Sequence, residues 1–258
     1  MIFKYIFPQD KAISREVFTL ALPVILSNLS RVLMSLIDVA MVGRLGAAAI
    51  AATGMGAMLF WGALSLVLGI RTAVQTVASR RLGQKKFSQC GTAFHNGLLM
   101  ATLYGIPVSI AGWLWAKDFI PFFINDIEAT PMAAEYSSII FLTLLFSALS
   151  FVFQGFYTGI EKTRIHLRVT VTSNIINVYL NAGLIYGSEG MKEFIQETIP
   201  ALSFLAPLWQ WIVFPALGVK GAAIATLVAS AWMALHYFTH LFSKQVRHKF
   251  NVFALSVD

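Results

Sequence analysis

Three observations predict an all-α integral membrane protein with six transmembrane helices and both termini in the cytoplasm. The 258-residue chain is 57% hydrophobic and only 12% charged, with a mean hydropathy of +0.72, whereas soluble domains carry about 25% charged residues. Its apolar runs recur at roughly the 20-residue length that crosses a bilayer. Its Lys and Arg residues gather in alternate loops between those runs, the bias that sets orientation in a membrane.

Residues 1–16 form an amphipathic lead with Lys4, Lys11 and Arg15, expected on the cytoplasmic surface. No short apolar region with a small-residue cleavage site follows, so the next long run is expected to stay in the membrane as the first span. Residues 17–243 are read as one six-helix lobe. The first helix covers about Val17 to Val42. Pro23 lacks the N–H that the Thr19 carbonyl would accept, which predicts a kink. The second helix covers about Ala47 to Val77, where Gly54, Gly56, Gly62 and Gly69 permit close helix contact. The third, fourth and fifth run from about Ala93 to Trp115, Tyr136 to Tyr157 and Val169 to Tyr186, and the sixth from about Gly221 to Phe242. Residues 188–217 are apolar but broken by Pro207 and Pro215. A run that short is read as an interfacial excursion on the outer surface, anchored by Trp209 and Trp211. Residues 244–258 are a basic cytoplasmic tail ending as a helix exit.

The charge count fixes the orientation. The lead, the second and fourth loops and the tail hold thirteen Lys and Arg; the first, third and fifth loops hold four, namely Arg44, Lys117, Lys192 and Lys220. The first group therefore belongs to the cytoplasm. The block SRRLGQKK, with Arg80, Arg81, Lys85 and Lys86, is read as a topology determinant rather than a specific anionic-lipid site. The net charge of +7 lies in short blocks between apolar runs, not on one continuous basic face, so nucleic acid is not an expected partner.

Few function classes survive this pattern. Cys90 is the single cysteine, which leaves no disulfide framework and no Cys-based metal site. His236 and His240 have chelating spacing but no evident third ligand, so no metal is expected. There is no phosphate loop, nucleophile elbow or paired carboxylate motif, and no enzyme is predicted.

What the chain does carry is polarity at membrane depth. Asn28, Arg31, Ser35 and Asp38 fall within about a quarter of the first helix's circumference. In the fifth helix Thr170, Asn174, Asn177 and Asn181 recur at intervals of four, three and four and share a face. Buried amides and ionisable groups are costly against lipid, so these faces point inward, either as hydrogen-bond contacts between helices or as the wall of a hydrated cavity. Asp38 is the only carboxylate predicted inside a span. It is either a structural partner for Arg31 or another helix, or a group that gains and loses a proton or Na⁺. Arg71, near the inner half of the second helix, is placed either at the cavity or snorkelling to the interface.

Three stretches together resemble the multidrug and toxic compound extrusion (MATE) family of cation-coupled antiporters: Pro23 through IDVAMVGRLGAAAIAATG; GIRTAVQTVASRRLGQ, with Arg71 and Gly83; and GVKGAAIAT at residues 218–226. The resemblance covers about residues 14–245. It implies two six-helix lobes, a central cavity, and alternating access driven by H⁺ or Na⁺, with amphipathic organic cations and drugs as substrates and the plasma membrane as the location. It also implies that Asp38 is the ion-responsive carboxylate of the N-terminal lobe, with Asn177, Asn181 and Thr226 at polar positions of the same site. Three features depart from the pattern. Several members are acidic where Asn181 stands, the 188–217 excursion is longer than the usual loop, and Arg31 is not part of the motif. Only one lobe's worth of helices is present, so a second lobe or second copy is expected to complete a transporter. The alternative is a non-transporting membrane subunit or truncated lobe, in which the polar residues are assembly contacts. No cofactor beyond the coupling ion is expected; the partners are an organic cation and membrane lipids.

Overall fold

The computed structural model describes residues 11–198, 207, 209 and 212–254. Among them six long helices form a bundle: α1 (Lys11–Gly43), α2 (Ala47–Gly83), α3 (Phe87–Phe119), α4 (Ala129–Gly159), α5 (Thr163–Thr198) and α6 (Gly218–Thr239). A short α7 (Lys244–Phe250) follows, and 3₁₀ turns extend α3 and α6 at Ile120–Phe122 and His240–Phe242. Residues 1–10 of the expected lead lie outside the described residues, as does Trp211, and residues 11–16 begin α1.

All the long helices except α5 are long and apolar enough to cross a membrane. Helix α5 falls short because Thr170, Thr172, Asn174, Asn177 and Asn181 dilute its apolarity, yet it packs between α1 and α6. The helices outrun the apolar segments that predict them. Helix α2 continues through Arg80 and Arg81 to Gly83, and α5 begins at Thr163 rather than Val169. Apolarity marks where lipid ends, and a helix has no reason to stop there. Helix α1 runs through Pro23 in one piece, and the Pro23 carbonyl accepts a hydrogen bond from Ser27 Oγ at 2.7 Å.

Helix α4 is the centre of the bundle, packed against α2, α3 and α6. Small residues let it come so close: a Cβ on Gly155 would sit 2.5 Å from the Arg71 carbonyl oxygen of α2, and one on Gly159 2.8 Å from that of Gln75. Without a hydrophobic force between helices in lipid, such close packing is a main source of association. The glycines expected to do this on α2 mostly do not. Only Gly56 meets a neighbour, the Tyr136 ring and the Ser137 hydroxyl of α4; positions 54, 62 and 69 have nothing within 4 Å.

The 188–217 excursion is tied back to the bundle. Gly187, at φ 75°, breaks α5, a backbone state that suits glycine. Beyond it the chain returns antiparallel to the break: Leu217 N donates to Leu184 O at 2.8 Å and Ser188 N to Phe214 O at 3.2 Å. Trp209 is not an interface anchor. It is buried against Tyr179, and its indole Nε1 donates to the Tyr179 carbonyl at 3.0 Å.

The stretch expected as a basic cytoplasmic tail packs against the bundle as far as the described residues run. Phe250 is buried edge-on to Phe87 and Phe156, and the carbonyl of Val252 accepts from His95 Nε2 at 2.7 Å. Gly91 of α3 leaves room for the Phe250 carbonyl, which a Cβ there would strike.

Candidate functional site

Helices α1, α2, α4, α5 and α6 enclose a cavity of roughly 370 Å³. Its polar wall is made by α1 and α5, which pack directly against one another. Asn174 Nδ2 donates to Ser30 Oγ at 2.8 Å, and Tyr186 OH donates to the Met41 carbonyl at 2.6 Å. These bonds hold the two polar stripes face to face.

Between them lies the central group of the site. Asn181 Nδ2 donates to Asp38 Oδ1 at 2.7 Å and to Asn177 Oδ1 at 2.9 Å. Both bonds use the amide nitrogen, so the Asn181 carbonyl oxygen is left over, and it is buried with no hydrogen-bond partner. Ser173 Oγ, on the same wall, is also buried and unpartnered. A buried acceptor without a donor is costly. Here it stands beside a carboxylate in a space large enough for a ligand. That arrangement suits a cation, or a proton on Asp38, better than a helix–helix seam.

The other expected residues divide. Arg31, Ser35 and Asn174 line the cavity with Asp38, Asn177 and Asn181. Thr226 lines it from α6 while its hydroxyl donates to the Ala222 carbonyl at 2.9 Å. Asn28 does not line it and is exposed. It lies about 15 Å along α1 from Asp38 and about 80° round the helix, at the edge of the stripe. Arg71 is also outside the lining, with its guanidinium carbon 5.9 Å from the Phe151 ring centre. Arg31 and Asp38 form no ion pair; among the described residues the pairing is Lys220 with Glu135, at 2.9 Å on the surface.

Sequence reasoning missed the apolar wall. Trp61 and Phe60 of α2 and Tyr136 of α4 face the cavity. Nothing in their helices' composition separates a cavity-facing aromatic from a lipid-facing one. A buried network beside the site also escapes it, because His166 precedes the expected start of the fifth helix at about Val169 and lies among basic residues. Gln154 Nε2 of α4 donates to His166 Nε2 at 2.8 Å, which leaves Nδ1 to donate to Tyr237 OH of α6 at 2.5 Å. Tyr157 OH donates to the Tyr237 carbonyl at 3.1 Å. His166→Leu strands two buried polar groups and is expected to cost about 2 kcal/mol. A lowered melting temperature in detergent is the readout; an unchanged one would show that the network carries no stability. His236, considered above for metal chelation, is engaged with Thr172 Oγ1 at 2.9 Å.

The comparisons with known proteins agree with this architecture. The chain is 26% identical over 225 residues to a probable multidrug resistance protein NorM of Mesorhizobium japonicum, covering 85% of this chain and 42% of that protein. To the protein of the same name from Rhizobium meliloti it is 25% identical over 234 residues, covering 91% and 45%. The fold is similar to a crystal structure of MATE in the bent conformation, with a TM-score of 0.74 at 20% identity over 95% of this chain and 49% of that one. It is also similar to a MOP superfamily transporter from Pyrococcus furiosus, with a TM-score of 0.73 at 21% identity over 89% and 45%. The chain thus spans about half the length of the relatives it matches. The MatE family model matches residues 23–182, more than half of the sequence, and the chain belongs to the MatE family.

Proposed function

We propose that this chain is the N-terminal six-helix lobe of a cation-coupled antiporter that exports amphipathic organic cations by alternating access. The observation that carries the reading is the Asp38–Asn181–Asn177 cluster on the wall of a cavity whose opposite side is aromatic. Asp38 supplies the one negative charge. Trp61, Phe60 and Tyr136 supply faces on which a flat cation can stack. Protonation or Na⁺ binding at Asp38 removes the attraction for substrate, so ion and substrate compete for one electrostatic site. Repacking of α1 about Pro23 would then change which side the cavity opens to.

All six long helices span the membrane in this reading, α5 being tolerated because its amides face the cavity. The basic loops lie in the cytoplasm, and the protein sits in the plasma membrane. The coupling ion is H⁺ or Na⁺. Relatives about twice as long leave room for a second lobe; the opposing wall comes from such a lobe in the same polypeptide, from a separate second half or from a second copy.

The test is binding of a fluorescent organic cation to the detergent-purified chain as a function of pH, with the mass of the complex measured in parallel. Because protonation neutralises Asp38, affinity is expected to fall as pH falls. Dye binding that is indifferent to pH and to Na⁺ would overturn the coupling, and no binding at all by monomer or dimer would favour an assembly role for the polar residues.

A further inference from the structure

The cavity has a second charged end. Arg31 lines it about two turns along α1 from Asp38, a separation of about 10 Å. The guanidinium carbon of Arg31 lies 6.0 Å from the Phe151 ring centre, and that of Arg71 lies 5.9 Å from the same ring. Two cations from different helices therefore stand against one aromatic side chain. Neither forms an ion pair among the described residues. Arg71 Nε is buried with no hydrogen-bond partner. The Arg71 backbone lies close against α4, where Gly155 leaves room for its carbonyl.

A ring face offsets part of the cost of a half-buried guanidinium, but it cannot accept the in-plane N–H groups. Those groups form a planar fork that matches a carboxylate or phosphate. We propose that Arg31, at the end of the cavity away from Asp38, and Arg71, just outside the lining on the same Phe151 ring, form a subsite for an oxyanion at the border of the cavity. The ligand of this cavity then carries an acidic group as well as a positive charge, the two held toward opposite ends. The positive half of that ligand rests on the reading of Asp38 given above; the acidic half does not.

The experiment compares a rhodamine bearing a free benzoate with the methyl ester of the same dye, by fluorescence anisotropy on the purified full chain. The two share a cationic ring system and differ in the carboxylate. Wild type is expected to favour the acid. Arg31→Gln and Arg71→Gln are each expected to weaken the acid about tenfold, the size of one charge-assisted hydrogen bond lost, while the ester moves less than about twofold. Retained ester binding shows that the variants are folded, and Arg71→Lys, which keeps the charge but loses the planar fork, restores only part of the acid's affinity. Displacement of the acid dye by micellar phosphatidic acid, in wild type but not in the glutamine variants, assigns the oxyanion to a lipid headgroup. Resistance to it assigns a soluble ligand. An acid-to-ester ratio that is the same in wild type and both glutamine variants overturns the subsite. If the ester still binds and depends on Asp38, the subsite alone falls; if neither dye binds, the reading of the whole cavity falls with it.

Discussion

Asp38→Asn is expected to weaken binding of an organic cation by about 2–4 kcal/mol, roughly 30- to several-hundred-fold in Kd, and to flatten its dependence on pH. The sign follows from charge alone. In the wild type, acid neutralises Asp38 and affinity falls with pH; in the variant the group is neutral throughout, so binding stays at the weak, acidic level. The fold is expected to survive, because the asparagine carbonyl can still accept the bond that Asn181 Nδ2 now makes at 2.7 Å. A thermal melt beside the titration separates the two effects. A variant that keeps the wild-type pH profile would place ion coupling on some other group, and Asp38 would revert to a structural contact between α1 and α5.

Gly221→Val is the second large effect, and it acts through the backbone. Gly221 lies in the first turn of α6, where a Cβ would strike the carbonyl group of Leu184 in α5. The obstacle is main chain, so no side chain can swing aside. Overpacking by a few methyl groups typically costs about 1–3 kcal/mol, and a helix–helix seam that must separate is expected to exceed that range. The predicted outcome is a chain that no longer elutes as a single species in detergent, with Gly221→Ala intermediate. Any folded fraction should bind dye poorly, because the seam aligns Asn181 on α5 with Thr226 on α6. A Gly221→Val protein with a wild-type melting temperature would refute the argument.

What could be read from the sequence was decided by chemistry more than by pattern. Asp38 and Asn181 lie 143 residues apart, yet each was legible because a polar group at membrane depth needs a reason. Two helices with polar stripes have an obvious use for each other. The aromatic wall was not legible, since Trp61 or Tyr136 looks the same whether it meets lipid or a cavity. Nor were the glycines: Gly56 and Gly54 stand two residues apart, and only the first touches a neighbour. In the 188–217 excursion, its two prolines signalled an irregular path, but nothing indicated that Trp209 would turn inward onto Tyr179. The C-terminal segment was misjudged for a related reason. Lys244, Arg247 and Lys249 mark it as water-facing, and they mask the burial of Val246, Phe250 and Val252 beside them.

Helix α1 has little to lean on except α5, and that has a temporal consequence. The residues of the Ser30–Asn174 contact are 144 positions apart, so at about 5–20 residues per second the ribosome needs roughly 7–30 s to produce the second after the first. For that interval Arg31 and Asp38 sit in a newly inserted helix without their eventual neighbour. Helices α2, α3 and α4 can assemble among themselves meanwhile, being joined in sequence and packed together. The lobe is therefore built from its middle outward, and the helix made first is among the last to be secured.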